Sequence, residues 1–330
     1  MYSIWFLSKD RNTVTQTLKC AKRSKNLIKI GTRGSELALT QTSHVVDALK
    51  EASPEVEFEI VVIKTTGHID QRHNVSELGV GVFVRELEVA LLDNRVDLAV
   101  HSLKDMPSSL PPEFTLAAVP YREDPRDAFI SRNGETLEEI PTGSRIATGS
   151  VRRQALVKNI RPDLVVESVR GNVPTRLGKL DLEDGPDAII LAVAGLKRLG
   201  LHERITQHLS CSNFVSAVGQ GALALETRAS DPTTAAIAAK INHEGTLLEI
   251  TAERAFLDEI GGGCSASVTA HAKIRGERLE FSAFASTPDG TQVIRESIVD
   301  EASNAENVGR KMGELFVERG ARQLVAGNAN

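Results

Sequence analysis

"IKIGTRGSELALTQTSHVVDALKEA", residues 28–52, decides the fold. Its first five residues read as a short strand, and Leu37, Val45, Val46 and Leu49 then fall on one face of a helix. Ser35 stands where an N-cap belongs. The alternation continues with "FEIVVIKT" as a strand, "VFVRELEVALLDN" as a helix and "DLAVHS" as a third strand. That βαβαβ order predicts a parallel sheet with helices on its faces.

The same alternation returns further along. "RIATGS" runs into the helix "VRRQALVKNI", "LVVESV" into a helix around "PTRLGKL", and "AIILAV" into "AGLKRLG". The charged, Pro-containing "YREDPRD" reads as a crossing between two domains, and the strand-like "ALALE" as a return to the first sheet. From about Asn242 the pattern changes. A helix, "TLLEITAERAFLDEI", stops at Gly261, a natural left-handed end, and three alternating strands and a last helix follow. The expected architecture is α/β, with two doubly wound domains followed by a C-terminal α+β domain holding a three-stranded antiparallel sheet. The expected bounds are 27–120 with 221–241, then 125–216, then 242–330.

Composition excludes several classes. A chain of 330 residues suits two or three domains. It contains no apolar run of about 18 residues, so no membrane span is expected. A net charge of −5 disfavours a nucleic-acid partner. Cys20, Cys211 and Cys264 are far apart, in no spacing that suggests a metal site, and their odd number argues against a disulfide framework. A reducing cytoplasm is the simplest compartment. Residues 1–26 carry Lys9, Arg11, Lys19, Lys22, Arg23 and Lys25 against the single acid Asp10. They read as a disordered basic extension or an organelle-targeting peptide, and the lack of an apolar core rules out a secretory signal.

Open α/β sheets bind ligands beyond the C-terminal ends of their strands, where helix N-termini offer free N–H groups. Those ends carry Arg33 and Ser35, then Lys104 and Asp105, then Ser150, Arg152 and Arg153, then Arg170 and Arg176, and finally Arg198. Cations and hydroxyls recurring at strand ends point to a ligand with many carboxylates or phosphates, which arginine forks bind bidentately. Asp105 is the one acid in that set. It reads either as an ion-pair partner or as a carboxylate that stabilises a developing cation. Cys264 closes the run "GGGC". A lone cysteine is more often inert, but three glycines that cannot pack permit close backbone approach, so the thiol reads either as inert or as an attachment point or nucleophile.

Taken together, "GTRGSELALTQ", "FVRELEVALL", "AVHSLKDMP", "REDPRDAF", "SVRRQALV", "RPDLVVESVRGNVPTRLGKL", "DAIILAVAGLKRLGL", "AVGQGALALE", "TAERAFL" and "GGGC" resemble the hydroxymethylbilane synthase (porphobilinogen deaminase) family. The resemblance implies two lobes like those of periplasmic binding proteins and a third domain. It implies a dipyrromethane cofactor joined to Cys264 by a thioether bond. Four porphobilinogen units would be deaminated and coupled head to tail on this primer, and hydroxymethylbilane released. Asp105 would be the catalytic carboxylate and would hold pyrrole N–H groups. Lys104, Asp105, Ser150, Arg152 and Arg153 would hold the cofactor, and Arg33, Ser35, Phe83, Thr148, Arg170, Arg176 and Arg198 the substrate and growing chain. The family resemblance also suggests a monomer.

Several positions depart from the family pattern. Thr65, Thr66, Gly67 and His68 replace its "TRGD", and Val80 replaces a lysine. Gly149 stands for a serine, and the proline expected after Cys264 is missing. Three rival readings compete: a two-lobed carboxylate-binding protein without chemistry, a cysteine-nucleophile enzyme using His243 or His271 as base, and a family member whose altered lid has lost activity.

Overall fold

The computed structural model describes residues 27–63, 82–261 and 267–326. Three sheets organise them. The first contains β1 (Leu27–Arg33), β2 (Glu57–Ile63), β3 (Leu98–Ser102), β4 (Phe114–Ala118) and β10 (Leu223–Arg228), in the order β2-β1-β3-β10-β4. The second contains β5 (Asp127–Ser131), β6 (Arg145–Ala147), β7 (Val165–Glu167), β8 (Ala188–Ala192) and β9 (Gln207–Leu209), in the order β7-β6-β8-β5-β9. The two orders correspond strand for strand. Both sheets are covered by helices, as the alternating pattern requires, but neither is wholly parallel. β10 runs antiparallel to β3 and β4, and β5 runs antiparallel to β8 and β9. These two strands follow the segments that cross between the sheets, 119–126 and 210–222, so each enters its sheet from the opposite side. "ALALE" is β10 and does return to the first sheet.

Local chemistry explains the helices. α1 (Glu36–Ala52) starts at Ser35, whose hydroxyl accepts from Ala38 N at 3.3 Å, and its Val45, Val46 and Leu49 pack with Ile30, Leu98 and Val100. α2 (Val82–Leu92) covers the opposite face through Leu87 and Leu91, beside Ile63 and Val96. In the second sheet, α3 (Val151–Ile160) contributes Leu156 and Val157 to one face, with Phe129, Ile146 and Ile190. α4 (Val173–Leu180) and α5 (Val193–Arg198) contribute Leu177 and Leu196 to the other.

After the short α6 (Pro232–Ala239), α7 (Glu244–Ile260) opens the third unit and ends at Gly261 with φ 71°, the left-handed stop read from sequence. The antiparallel sheet is present as β11 (Val268–Arg275), β12 (Arg278–Ser286) and β13 (Val293–Glu301). α8 (Ala305–Glu318) and α9 (Ala321–Val325) complete the chain, and Phe256, Phe281 and Phe316 meet edge to face in the core.

Glu253 of α7 joins the three units. Its fully buried carboxylate accepts from Arg122 Nη1 (2.7 Å) and Nη2 (3.2 Å) on one crossing, Gly219 N (2.7 Å) on the other, and Ala272 N (2.9 Å) of β11. His271 Nδ1 lies 3.3 Å away. Burial alone would push this carboxyl up, but Arg122 and His271 hold it at about 2. The second crossing fits closely because of two glycines in "VGQGA". Gly219 (φ 72°) and Gly221 (φ 89°) lie in the left-handed region, and a Cβ on them would stand 2.3 Å from Leu103 Cδ2 and 2.3 Å from Glu123 O. Removing one member of such a pair strands the other charge. Glu253→Ala is therefore expected to cost about 3–5 kcal/mol, read as a lower denaturant midpoint. An unchanged midpoint would contradict the linking role.

Candidate active site

A cavity of about 220 Å³ opens where the three units meet. Asp105 reaches its wall from a single 3₁₀ turn, Leu103–Asp105, that follows β3. Leu103 is buried, and its N–H donates to Ala222 O at 3.1 Å on the second crossing, so the turn is anchored to that crossing. Asp105 remains half-exposed, with Arg33 Nη1 4.0 Å from Oδ2. Lys104, its neighbour, also lines the cavity. Burial and then the Arg153 charge lower the Lys104 ammonium to about 8, against the pull of Asp105 and Asp127.

Arg152 and Arg153 lie in the first turn of α3, and both face the cavity. They are also buried and engaged within the protein. Arg152 donates to Asp127 Oδ2 (2.8 Å) and Val215 O (2.6 Å), and Arg153 to Asp127 Oδ1 (2.7 Å) and Ile190 O (3.0 Å). Gln220 adds a further bond to Asp127 at 2.9 Å. Against its own burial, the two guanidiniums hold Asp127 at about 2. Two cations around one anion leave a net positive wall. Both arginines are thereby locked in place, which makes them a fixed source of positive field at the cavity.

The other expected residues fall into groups. Ser150 lines the cavity as the N-cap of α3, accepting from Arg153 N at 3.4 Å, and the buried Thr148 supports it by accepting from Ser150 N at 3.2 Å. Arg176 lines the cavity and donates to Gly171 O at 2.7 Å, and burial followed by Arg153 lowers its pKa. Burial likewise lowers Arg33. Ser35 caps α1. Arg198 sits apart, in a second cavity of about 400 Å³ beside Tyr121, Glu123 and Lys197, and donates to Gly221 O at 2.8 Å. Arg170 is exposed and lies outside both linings. Phe83 belongs to α2, but its side chain is outside the described residues, as are Cys264, residues 64–81 and the basic extension 1–26. The two histidines considered as bases have structural tasks. His243 caps α7 through Thr246 N at 3.0 Å, and His271 is buried beside Glu253. A serine in place of Gly149 would bring its Cβ to 2.7 Å from Val169 O, so the loss of that hydroxyl follows from close backbone packing.

Gln220 and Arg254 also line the cavity, Asp127 lies buried behind it, bonded to Gln220, and none of the three was singled out from sequence. Asp127 lies in the quoted "REDPRDAF", but only its spatial partners reveal its role. Among the described residues no cluster of His, Cys, Asp or Glu could hold a metal ion, and no helix is long and apolar enough to cross a membrane.

Fold and cavity together define a two-lobed cleft with a cation-rich wall, closed by a third unit. Residues 28–236 match the family model described as "Porphobilinogen deaminase, dipyromethane cofactor binding domain", and residues 247–318 match "Porphobilinogen deaminase, C-terminal domain". A curated porphobilinogen deaminase from Alkaliphilus metalliredigens is 42% identical over 299 residues, covering 90% of this chain and 94% of the relative. Among solved structures, a putative methionine-binding lipoprotein from Bacillus subtilis aligns with a TM-score of 0.42 at 12% identity, over 68% of this chain and 94% of its own. The methionine-binding protein MetQ aligns at 0.40 and 13%, over 66% and 88%. The chain belongs to the porphobilinogen deaminase family. Its activity is the polymerisation of porphobilinogen into hydroxymethylbilane, a transferase reaction of tetrapyrrole biosynthesis.

The Lys104 titration carries a consequence for this substrate. The ammonium is charged below about 8 and neutral above it, so the positive charge of the cavity wall falls as pH rises through that value. The KM for porphobilinogen is expected to climb over that range in the wild type and to stay level in Lys104→Arg, whose charge persists. A level KM in the wild type would contradict this.

Proposed function

We propose that Asp105 is the catalytic carboxylate of this polymerisation and that Cys264 carries the dipyrromethane cofactor through a thioether bond. The observation that carries the reading is the position of Asp105 on the wall of the cavity, the single acid among the described lining residues, beside Lys104, Arg153 and Arg176. Porphobilinogen bears two carboxylates and a pyrrole N–H, and it becomes cationic when ammonia leaves. Cations in the wall fit the carboxylates, and one carboxylate fits the developing positive charge. Asp105 accepts from pyrrole N–H and lowers the energy of the cation. Arg33 and Arg176 orient the acid side chains of the substrate.

The cavity also fits the cofactor. Its net positive wall, the half-buried Lys104 and the capped N-terminus of α3 at Ser150 match a group carrying acetate and propionate arms. When bound, the dipyrromethane supplies the primer on which the chain grows. Lys104, Ser150, Arg152 and Arg153 would hold it. Arg33, Ser35, Phe83, Thr148, Arg170, Arg176 and Arg198 would serve substrate and growing chain. Of these, Ser35 and Thr148 act through the helix caps and turns they stabilise, and Arg198 from its own cavity at the crossings. The three sheets support domains at 27–120 with 221–241, 125–216 and 242–330.

Asp105→Asn keeps the shape of the side chain and removes its charge. Turnover of porphobilinogen is expected to fall about 10²–10⁴-fold with an unaltered circular dichroism spectrum. Wild-type turnover in that variant would remove Asp105 from the chemistry.

A further inference from the structure

Asp105 is anchored on its N-terminal side, where Leu103 N donates to Ala222 O at 3.1 Å, and Met106 N just after it closes the turn onto Leu103 O at 3.0 Å. On its C-terminal side the chain leaves the sheet, and a different unit takes hold of it. Arg254 and Asp258 stand four residues apart on α7, hence on one face of the helix. Arg254 Nη2 donates to Ser108 O at 2.6 Å. Ser108 Oγ and Ser109 Oγ both donate to Asp258 Oδ1, at 3.1 and 2.8 Å. One carbonyl and two hydroxyls, three and four residues after Asp105, are thus gripped by two side chains of the third unit. Ser108, Arg254 and Leu257 line the same cavity as Asp105, so this clamp forms part of its wall.

We propose that Arg254 and Asp258 are positioning residues for the reaction: by clamping Ser108 and Ser109 they hold the Asp105 turn at a fixed place between the first lobe and the third unit. The inference rests on the reading of Asp105 given above. Hydroxyl-to-carboxylate bonds are charge-assisted and directional, which suits a clamp that sets distance. Asp258 itself is exposed, so changing it leaves the core around Phe256 in place.

The test uses the cofactor-loaded enzyme, with loading measured by intact mass and rates expressed per loaded molecule. Asp258→Ala is expected to lower kcat about ten- to a hundredfold, with KM for porphobilinogen unchanged within about twofold, because misplacement of a reacting group by about 1 Å acts on the chemical step. Asp258→Asn should restore kcat, since its amide oxygen still accepts both hydroxyls. The double variant Ser108→Ala with Ser109→Ala should reproduce the loss from the other side of the clamp. Wild-type kcat in loaded Asp258→Ala would overturn the proposal, as would a raised KM at constant kcat or a loss that Asp258→Asn does not repair. If Asp105→Asn turns over at the wild-type rate, the underlying reading of Asp105 fails and the clamp's role with it. If Asp105→Asn is slow while Asp258→Ala is not, the clamp alone is refuted.

Discussion

The buried carboxylate of Glu253 is the interaction on which the arrangement of the cleft depends. It takes donors from both crossings and from β11, so the three units share one buried anion. Burying a carboxylate is costly unless its oxygens are fully paired, and here Arg122 and two backbone N–H groups pair them. The tie is also directional, because Gly219 can approach Leu103 and Lys104 only without a side chain. The position of Lys104 and Asp105 therefore follows from a contact made by a helix of the third unit.

A second buried carboxylate, Asp127, organises the charge of the site. Arg152 and Arg153 read from sequence as free forks for a ligand, yet each spends bonds on Asp127 and on backbone carbonyls. The outcome is a rigid wall with surplus positive charge. A flexible cation would have to be ordered each time the growing chain moved, whereas a held one has already lost that freedom. Lys104, with its lowered pKa, is the titratable member of the wall.

Much of the fold was legible because it is written locally. The apolar period of residues 36–52, the Ser35 cap, the stop at Gly261 and the alternation in β11 to β13 depend on neighbours in sequence. The short strands β4, β5 and β9 were missed, since three to five residues inside charged or Pro-containing stretches carry no period of their own. The antiparallel direction of β5 and β10 was not foreseen for a related reason: strand direction is set by where the chain crosses between lobes. In the site, the strand-end rule brought Lys104, Asp105, Ser150, Arg152, Arg153 and Arg176 to one cavity. It could not foresee Asp127 or Glu253 as hubs, because their partners lie far away in sequence, as Arg122 does from Glu253 at 131 residues. Nor could it foresee that Arg198, also at a strand end, would face a separate cavity.

The central claim is that the cation-lined cavity serves a pyrrole chain tethered at Cys264. Peptide mapping of the purified native enzyme by tandem mass spectrometry tests it most directly. The account predicts that the peptide spanning Cys264 carries the added mass of two pyrrole units on sulfur, while the peptide with Cys211 is unmodified. A fully active enzyme whose Cys264 peptide has the mass of a free thiol would contradict it.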